Sequence, residues 1–440
     1  MRMMTMAAGT AAAAVAAAMA MTAAAQTKAP QQVVKPPVAQ AWIDVATFSG
    51  FGMPAAGGSA NPMAMAGSLF GGGAGEQKNS FARTGEGGSA GTWVDVALFT
   101  SRNPGLMEAQ QTVPQGMQLQ ALKLITQKPD PKGRITPEEG VVEQPHERPK
   151  GKLYLYWGCS ETVRAGQPLV LDMATATPDA MAKFFTARRA TQRGAHNMPE
   201  RPHWPNEQDA RMVPANASLV GEHAFSGQGV PENFRFTLGA QQDIMPPVDL
   251  RQTPAAGGAT LLEWTALPTA RGYFAAAMGA PAGRTGSDVE LAFWSSSEAA
   301  DTGTGLVEFQ TNPAVDRWLK EKVLLEPSVT RCAVPAGIFG EGGGAFLRMI
   351  AYGSELNLAH PPRPTDPKIP WEPEWALKVR VKSVANAMLG MDMAAMQRGT
   401  AAPSRPADAP PSAEAKKEPT SSMDEIKKEG VNVLRGIFGR

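Results

Sequence analysis

The chain has 440 residues and a formal charge of +1, with 43% apolar and 19% charged residues. A near-neutral chain has no long-range electrostatic pull toward nucleic acid or other acidic polymers, so no nucleic-acid partner is expected. Gly (45 residues) and Pro (38) exceed ordinary usage, which favours strands, turns and loops over long helices.

Residues 1–25 read as a cleaved secretory signal. Arg2 precedes an uncharged Ala/Met run, and Ala23 and Ala25 occupy the small-residue positions before Gln26. A transmembrane anchor is the alternative for the same run. No cysteine follows it, so a lipoprotein anchor is not available. Residues 26–41 are Pro/Gln/Lys-rich and read as a linker. A first β domain is expected over 42–246. It opens with "WIDVATF" (Trp42–Phe48) and "WVDVALF" (Trp93–Phe99), whose matched alternation predicts a hairpin. Between them, residues 49–91 form a Gly/Met-rich insertion, predicted to be disordered.

Further along, "GKLYLYWGC" (Gly151–Cys159), "GQPLVLDM" (Gly166–Met173) and "NFRFTLG" (Asn233–Gly239) alternate as strands. The stretch Asp179–Gly194 is the most helix-like in this region. Cys159 and Cys332 are the only cysteines. In an oxidising compartment they predict a disulfide, and two buried free thiols are the alternative. The bridge would be worth about 5 kcal/mol in the chain-entropy model.

A second β domain is expected over 247–385, with an inserted helix at 312–327 ("NPAVDRWLKEKVLLEP"). In "TLLEWTALPTARGYFAAAM", Leu262 and Trp264 share one strand face. After the "LPTA" turn, Tyr273, Ala275 and Ala277 share another. Trp264, Pro268, Gly272 and Tyr273 together resemble the B and C strands of fibronectin type III domains. That resemblance implies an immunoglobulin-like sandwich in which Trp264 and Tyr273 are core, and a domain that binds or spaces. "AFLRMIAYGSELNLAHPP" and "WALKVRVKS", with Trp375, Leu377, Val379 and Val381 on one face, read as closing strands. At larger scale, "YWGC", "SLVGEHAFSG", "FWSSSE", "RCAVP" and "IAYGSELNLAHPPRP" look like segments of secreted or periplasmic proteins of Gram-negative bacteria. That likeness spans Tyr156 to Pro364 and implies a compartment and a two-part β architecture, but no mechanism.

Residues 386–421 combine a Met-rich segment with a linker predicted to be disordered. Residues 422–440 predict an amphipathic helix, with Ser422 and Glu425 as a capping box. Its apolar stripe of Ile426, Val433, Leu434, Ile437 and Phe438 is the candidate surface for an envelope protein partner. With four basic and three acidic residues over Asp424–Arg440, only weak contact with a membrane surface is expected.

Candidate chemistry is sparse. The five histidines (146, 196, 203, 223 and 360) show no HxxxH or HExxH spacing, and His196 and His203 read as part of a solvated Pro/Arg-rich loop. "WSSSE" (Trp294–Glu298) lacks a nucleophile elbow, so no catalytic residue is assigned. "GEGGGA" (Gly340–Ala345) reads as a hairpin turn. Met388, Met391, Met393 and Met396 form a thioether cluster that could hold Cu(I), with an apolar packing helix as the preferred reading and no metal or cofactor assigned. The chain is therefore expected to be mainly β, with two sandwich-like domains. Its expected role is that of a non-enzymatic secreted or periplasmic envelope protein acting as a structural or protein-binding module. The alternatives are a hydrolase-type enzyme whose site assembles from distant loops, and a periplasmic copper binder.

Overall fold

A computed structural model describes residues 32–50, 79–86, 90–127, 151–185, 188, 195, 200–283, 289–306, 308–340 and 345–390. The signal-like segment 1–25, Met391, Met393, Met396, and Ile426, Val433, Leu434, Ile437 and Phe438 of the expected tail helix lie outside them.

Alternating apolar residues become strands over most of this length, and the chain is mainly β. The first half carries β1 (Ala39–Gly50), β2 (Gly91–Thr100), β3 (Glu108–Thr112), β4 (Leu122–Ile125) and β5 (Gly151–Trp157). It continues with β6 (Leu169–Asp172), β7 (His203–Trp204), β8 (Gly221–Gly227) and β9 (Arg235–Leu238). After residue 246 come β10 (Arg251–Pro254), β11 (Thr260–Glu263), β12 (Gly272–Gly279), β13 (Val289–Ser295) and β14 (Arg331–Val334). The last are β15 (Ala345–Tyr352), β16 (Leu356–His360) and β17 (Trp375–Leu389). Among the described residues three short α-helices, α1 (Arg83–Glu86), α2 (Pro178–Phe184) and α3 (Asn312–Lys320), lie between strands.

The two echoing segments pair as expected: β1 and β2 are antiparallel, with Trp42 opposite Ala97 and Ala46 opposite Trp93. On its other edge β1 runs parallel to β17, with Asp44 beside Arg380. One long sheet follows in the order β6-β5-β13-β12-β15-β17-β1-β2-β7-β4-β3-β8-β9, and so draws strands from both sides of residue 246. At 15 residues, β17 is long enough to take two partners along one edge. Its first half pairs with β16 and its second half with β15. A separate sheet, β10-β11-β14, packs on the same apolar face.

That face holds the principal core. Leu377, Val379 and Val381 of β17, Ile43 and Val45 of β1, and Leu347 and Met349 of β15 join Phe225 and Phe234 from the far end of the sheet. The Phe234 ring stacks on Trp375 at 4.7 Å, so β8 and β9 fold back over the sheet's middle. Trp264 is buried against Tyr273, with ring centroids 5.5 Å apart. The Tyr273 hydroxyl accepts the Leu267 N–H at 2.7 Å and so ties down the turn between β11 and β12. The predicted disulfide is present: Cys159, just beyond β5, is bonded to Cys332 in β14, with Cα atoms 5.0 Å apart. It staples the small sheet to the long one.

Three local expectations change. Residues 79–86 fall in the insertion predicted to be disordered, yet Asn79 and Thr84 are buried, because Asp95 of β2 receives the Ala82 and Thr84 N–H groups. The helix expected over 312–327 stops at Lys320; Lys322 has φ +55, and Leu325 then bridges Tyr273 as extended chain. Met388 sits on a strand, not a helix, because its backbone continues the β17 ladder opposite Phe346. Residues 341–344 of the expected hairpin turn lie outside the described residues; β14 before them pairs with β11, and β15 after them pairs with β12 and β17.

Candidate functional site on the charged face of the sheet

The opposite face of β1, β2, β15 and β17 carries the molecule's unusual chemistry. In-register pairing places Asp44 directly opposite Asp95, both almost fully buried. Like charges in that position destabilise a sheet unless each is compensated. Here each carboxylate turns to a different set of donors. Asp44 takes a bidentate ion pair from Arg380, Nε to Oδ1 at 2.7 Å and Nη2 to Oδ2 at 2.6 Å, and accepts the Ala195 N–H at 2.9 Å. Asp95 accepts the Ala82 N–H at 3.1 Å, the Thr84 N–H at 3.2 Å, and the Thr84 hydroxyl.

Two residues along β17 from Arg380 lies Lys382. Arg380 is 2% exposed and Lys382 1%. Both sit against the Phe309 ring, Arg380 Cζ at 4.5 Å and Lys382 Nζ at 4.4 Å from its centroid, a cation–π arrangement that holds charge where water is excluded. Burial works against the Arg380 charge, but the Asp44 carboxylate more than restores it, so the guanidinium pKa lies above its usual value. Burial lowers the Lys382 ammonium to about 8; Glu308 and Asp44 act to raise it, and Arg348 and Arg380 to lower it.

Arg348 of β15 pairs in register with Asn386 of β17 and donates Nε to the Asn386 Oδ1 at 3.0 Å. Its pKa is lowered by burial, with Glu308 opposing. Arg348 Nη2 and Asn386 Nδ2 are buried donors without a hydrogen-bond acceptor among the described residues. Arg348 also lines a pocket of about 160 Å³ with Phe274, Met278, Phe293, Phe346, Thr302 and Thr304. The lip of that pocket is pinned by Asp301, which accepts the Gly303 N–H at 2.7 Å and a 2.5 Å ion pair from Arg188. Burial pushes the Asp301 carboxyl upward against those two contacts. Gly303 has φ +79, and a Cβ there would lie 2.7 Å from the Phe274 ring. No side chain fits that close approach. Beyond the lip, α3 buries Ala314, Val315 and Trp318 beside Phe309, and the Tyr352 hydroxyl donates to the Leu306 carbonyl at 2.5 Å.

Other predicted residues are placed differently. His203 is fully buried rather than solvated: β7 brings it into the sheet, its Nδ1 lies 2.7 Å from the Arg201 carbonyl, and the Phe81 ring lies at 4.3 Å. His223 is buried too, with Nε2 2.8 Å from the Leu219 carbonyl and Nδ1 3.2 Å from Gln111 Nε2. Burial lowers the pKa of both imidazoles. The hydroxyls of Ser296 and Ser297 accept backbone N–H groups from Ala275 at 2.9 Å and Ala299 at 3.0 Å, which ties them into the strand end. Met388 lies on β17, apart from any described partner in the Met cluster.

Sequence reading missed Asp44, Asp95, Arg348, Arg380 and Lys382 as a group. Their signal was an Asp at the centre of two otherwise apolar strands, and basic residues alternating with buried ones in "WALKVRVKSVANAML". No protein-family model, curated protein or solved structure matches the chain, so its residues and geometry carry the functional argument.

Proposed function

We propose that the chain is an exported protein of the cell envelope that acts as a structural or protein-binding module. The observation that carries this is the Cys159–Cys332 disulfide, which joins two sheets across 173 residues of sequence. Such a bond persists in an oxidising compartment and is rare in the cytosol. The signal-like residues 1–25 point the same way. The buried carboxylates support a scaffold, because Asp44, Asp95 and Asp301 are each committed to a cation or to backbone N–H groups. The small sheet β10-β11-β14, facing β12 through Trp264 and Tyr273, supports the fibronectin-type reading of residues 247–385. The stripe of Ile426, Val433, Leu434, Ile437 and Phe438 is the proposed contact for an envelope partner.

The test is expression from the native N-terminus in a Gram-negative host, with fractionation, alkylation without reductant and mass spectrometry. The expected product is periplasmic or secreted, begins at Gln26, and leaves both cysteines unlabelled. A cytoplasmic product that retains Met1 and labels at both cysteines would refute the proposal.

A further inference from the structure

The aromatic pocket beside Gly303 is a gap between two apolar clusters. On its wall, Phe274 and Ile350 belong to the cluster that holds Phe309 and Trp318. Phe293 and Met278 belong to the one that holds Leu153 and Phe184. Ala276 and Met278 are partly exposed, so the gap is open at its mouth. Apolar surface of this kind is stabilised when an apolar group covers it. A cavity of about 150 Å³ lined by apolar side chains accommodates benzene. This one measures about 160 Å³, room for one ring.

Two observations say which ring. The loops that lead out of β12 and into β15 hold only polar residues and glycine at 284–288 and 341–344, so neither stretch offers it an apolar side chain. The chain also leaves the sheet beside the pocket. Met388 of β17 lies opposite Phe346 of the wall, and side chains directly opposite share a face. The end of β17 is therefore on the pocket's side, two strands from β12. At about 4.8 Å per strand that is roughly 10 Å. Beyond Gly390 come the expected linker and then Leu434, Ile437 and Phe438, spaced as neighbours on one helical face. A flexible chain of about 45 residues spans roughly 35 Å, ample for that distance. We infer that the tail folds back on its own sheet and seats Phe438 in this pocket, with Leu434 and Ile437 over the rim. The inference rests on the reading of the tail as an apolar-striped segment, which the proposed partner contact shares, and it makes that contact regulated: a partner must compete with the pocket.

The test uses the purified full-length mature chain labelled at its methionine methyl groups. The Met278 and Met245 signals are assigned by Met278→Leu and Met245→Leu. Phe438→Ala is expected to move the Met278 resonance and to leave that of Met245, buried in the principal core, where it was. Trypsin gives a second readout. With an effective concentration on the order of 1 mM and a segment affinity of about 0.1 mM, the tail is docked about nine-tenths of the time, so cleavage after Arg435 should be about tenfold slower in the parent than in Phe438→Ala. Cleavage after Lys416 and Lys417, in the linker, should be equal in the two proteins. Ala276→Phe fills the pocket from its own wall and should speed cleavage after Arg435 as Phe438→Ala does. If that variant does not fold, Phe438→Ala decides alone. The inference is overturned if Phe438→Ala leaves either the Met278 resonance or the Arg435 cleavage as in the parent. It is also overturned if the effect grows with protein concentration, which would assign the pocket to the tail of a second copy. The partner contact is read separately, by co-purification from envelope fractions, so either proposal can fail without the other.

Discussion

Leu377, Val379 and Val381 project from one face of β17, and Arg380 and Lys382 from the other, yet all five are almost fully removed from solvent. The two faces are stabilised by different physics. The apolar face gains in proportion to area, about 25 cal/mol per Å², and degrades gradually when atoms are deleted. The charged face gains little net, because desolvation cancels most of the attraction between its ions. What it has is interdependence. Arg380 is tolerable because Asp44 meets it with two hydrogen bonds, and Asp44 because Arg380 and the Ala195 N–H meet it. Removing one partner therefore costs more than the pair contributes.

Arg380→Met is the sharpest probe of that difference. It removes the bidentate guanidinium from the buried Asp44 carboxylate and should cost about 3–5 kcal/mol in urea unfolding. Adding Asp44→Asn should recover much of the loss. A single variant as stable as the parent would show that the pair is not what makes this face tolerable. On the other side of the strand, Leu377→Ala should cost about 2–5 kcal/mol by transfer and cavity formation. No substitution on β1 should recover it, and a rescue there would erase the contrast between the faces.

The smallest effect belongs to Lys382→Met, which exchanges a buried ammonium for a chain of similar shape and should be near neutral at pH 7. Its signature is in pH. The folded-state ammonium titrates at about 8, and the unfolded one near its ordinary value of about 10.4. Within that window the unfolded state binds more protons, so the parent should gain stability relative to Lys382→Met as pH rises. Below the window both states are protonated, and the difference should stay constant. Parallel stability curves through the window would place Lys382 in ordinary solvent.

How much of this was legible follows from range. The hairpin of Trp42–Phe48 with Trp93–Phe99, the strands at β5, β9, β15 and β17, and the burial of Trp264 were readable, because period-two alternation is a local property. The cysteine pair was readable because there were no competing cysteines. The charged face was not. Lys378, Arg380 and Lys382 alternate with apolar residues, a pattern that locally means a solvated face. What covers Arg380 and Lys382 is Phe309, in an aperiodic segment with no strand or helix signal of its own. His203 was misplaced for the same reason: a two-residue strand amid Pro and Arg has no periodicity to read.

The parallel contact between β1 and β17 sets the order in which the molecule can form. The partners at its centre, Asp44 and Arg380, are 336 residues apart. The middle of the sheet cannot close until nearly all of the described chain is available, and until then β1 lacks β17 along one edge and Asp44 lacks the Arg380 guanidinium. Such non-local closure makes folding slow, because loop entropy is lost before the contacts that offset it are made. Local pairs such as β8 with β9 can form early, but the strand that joins the two halves of the sheet is among the last to be made.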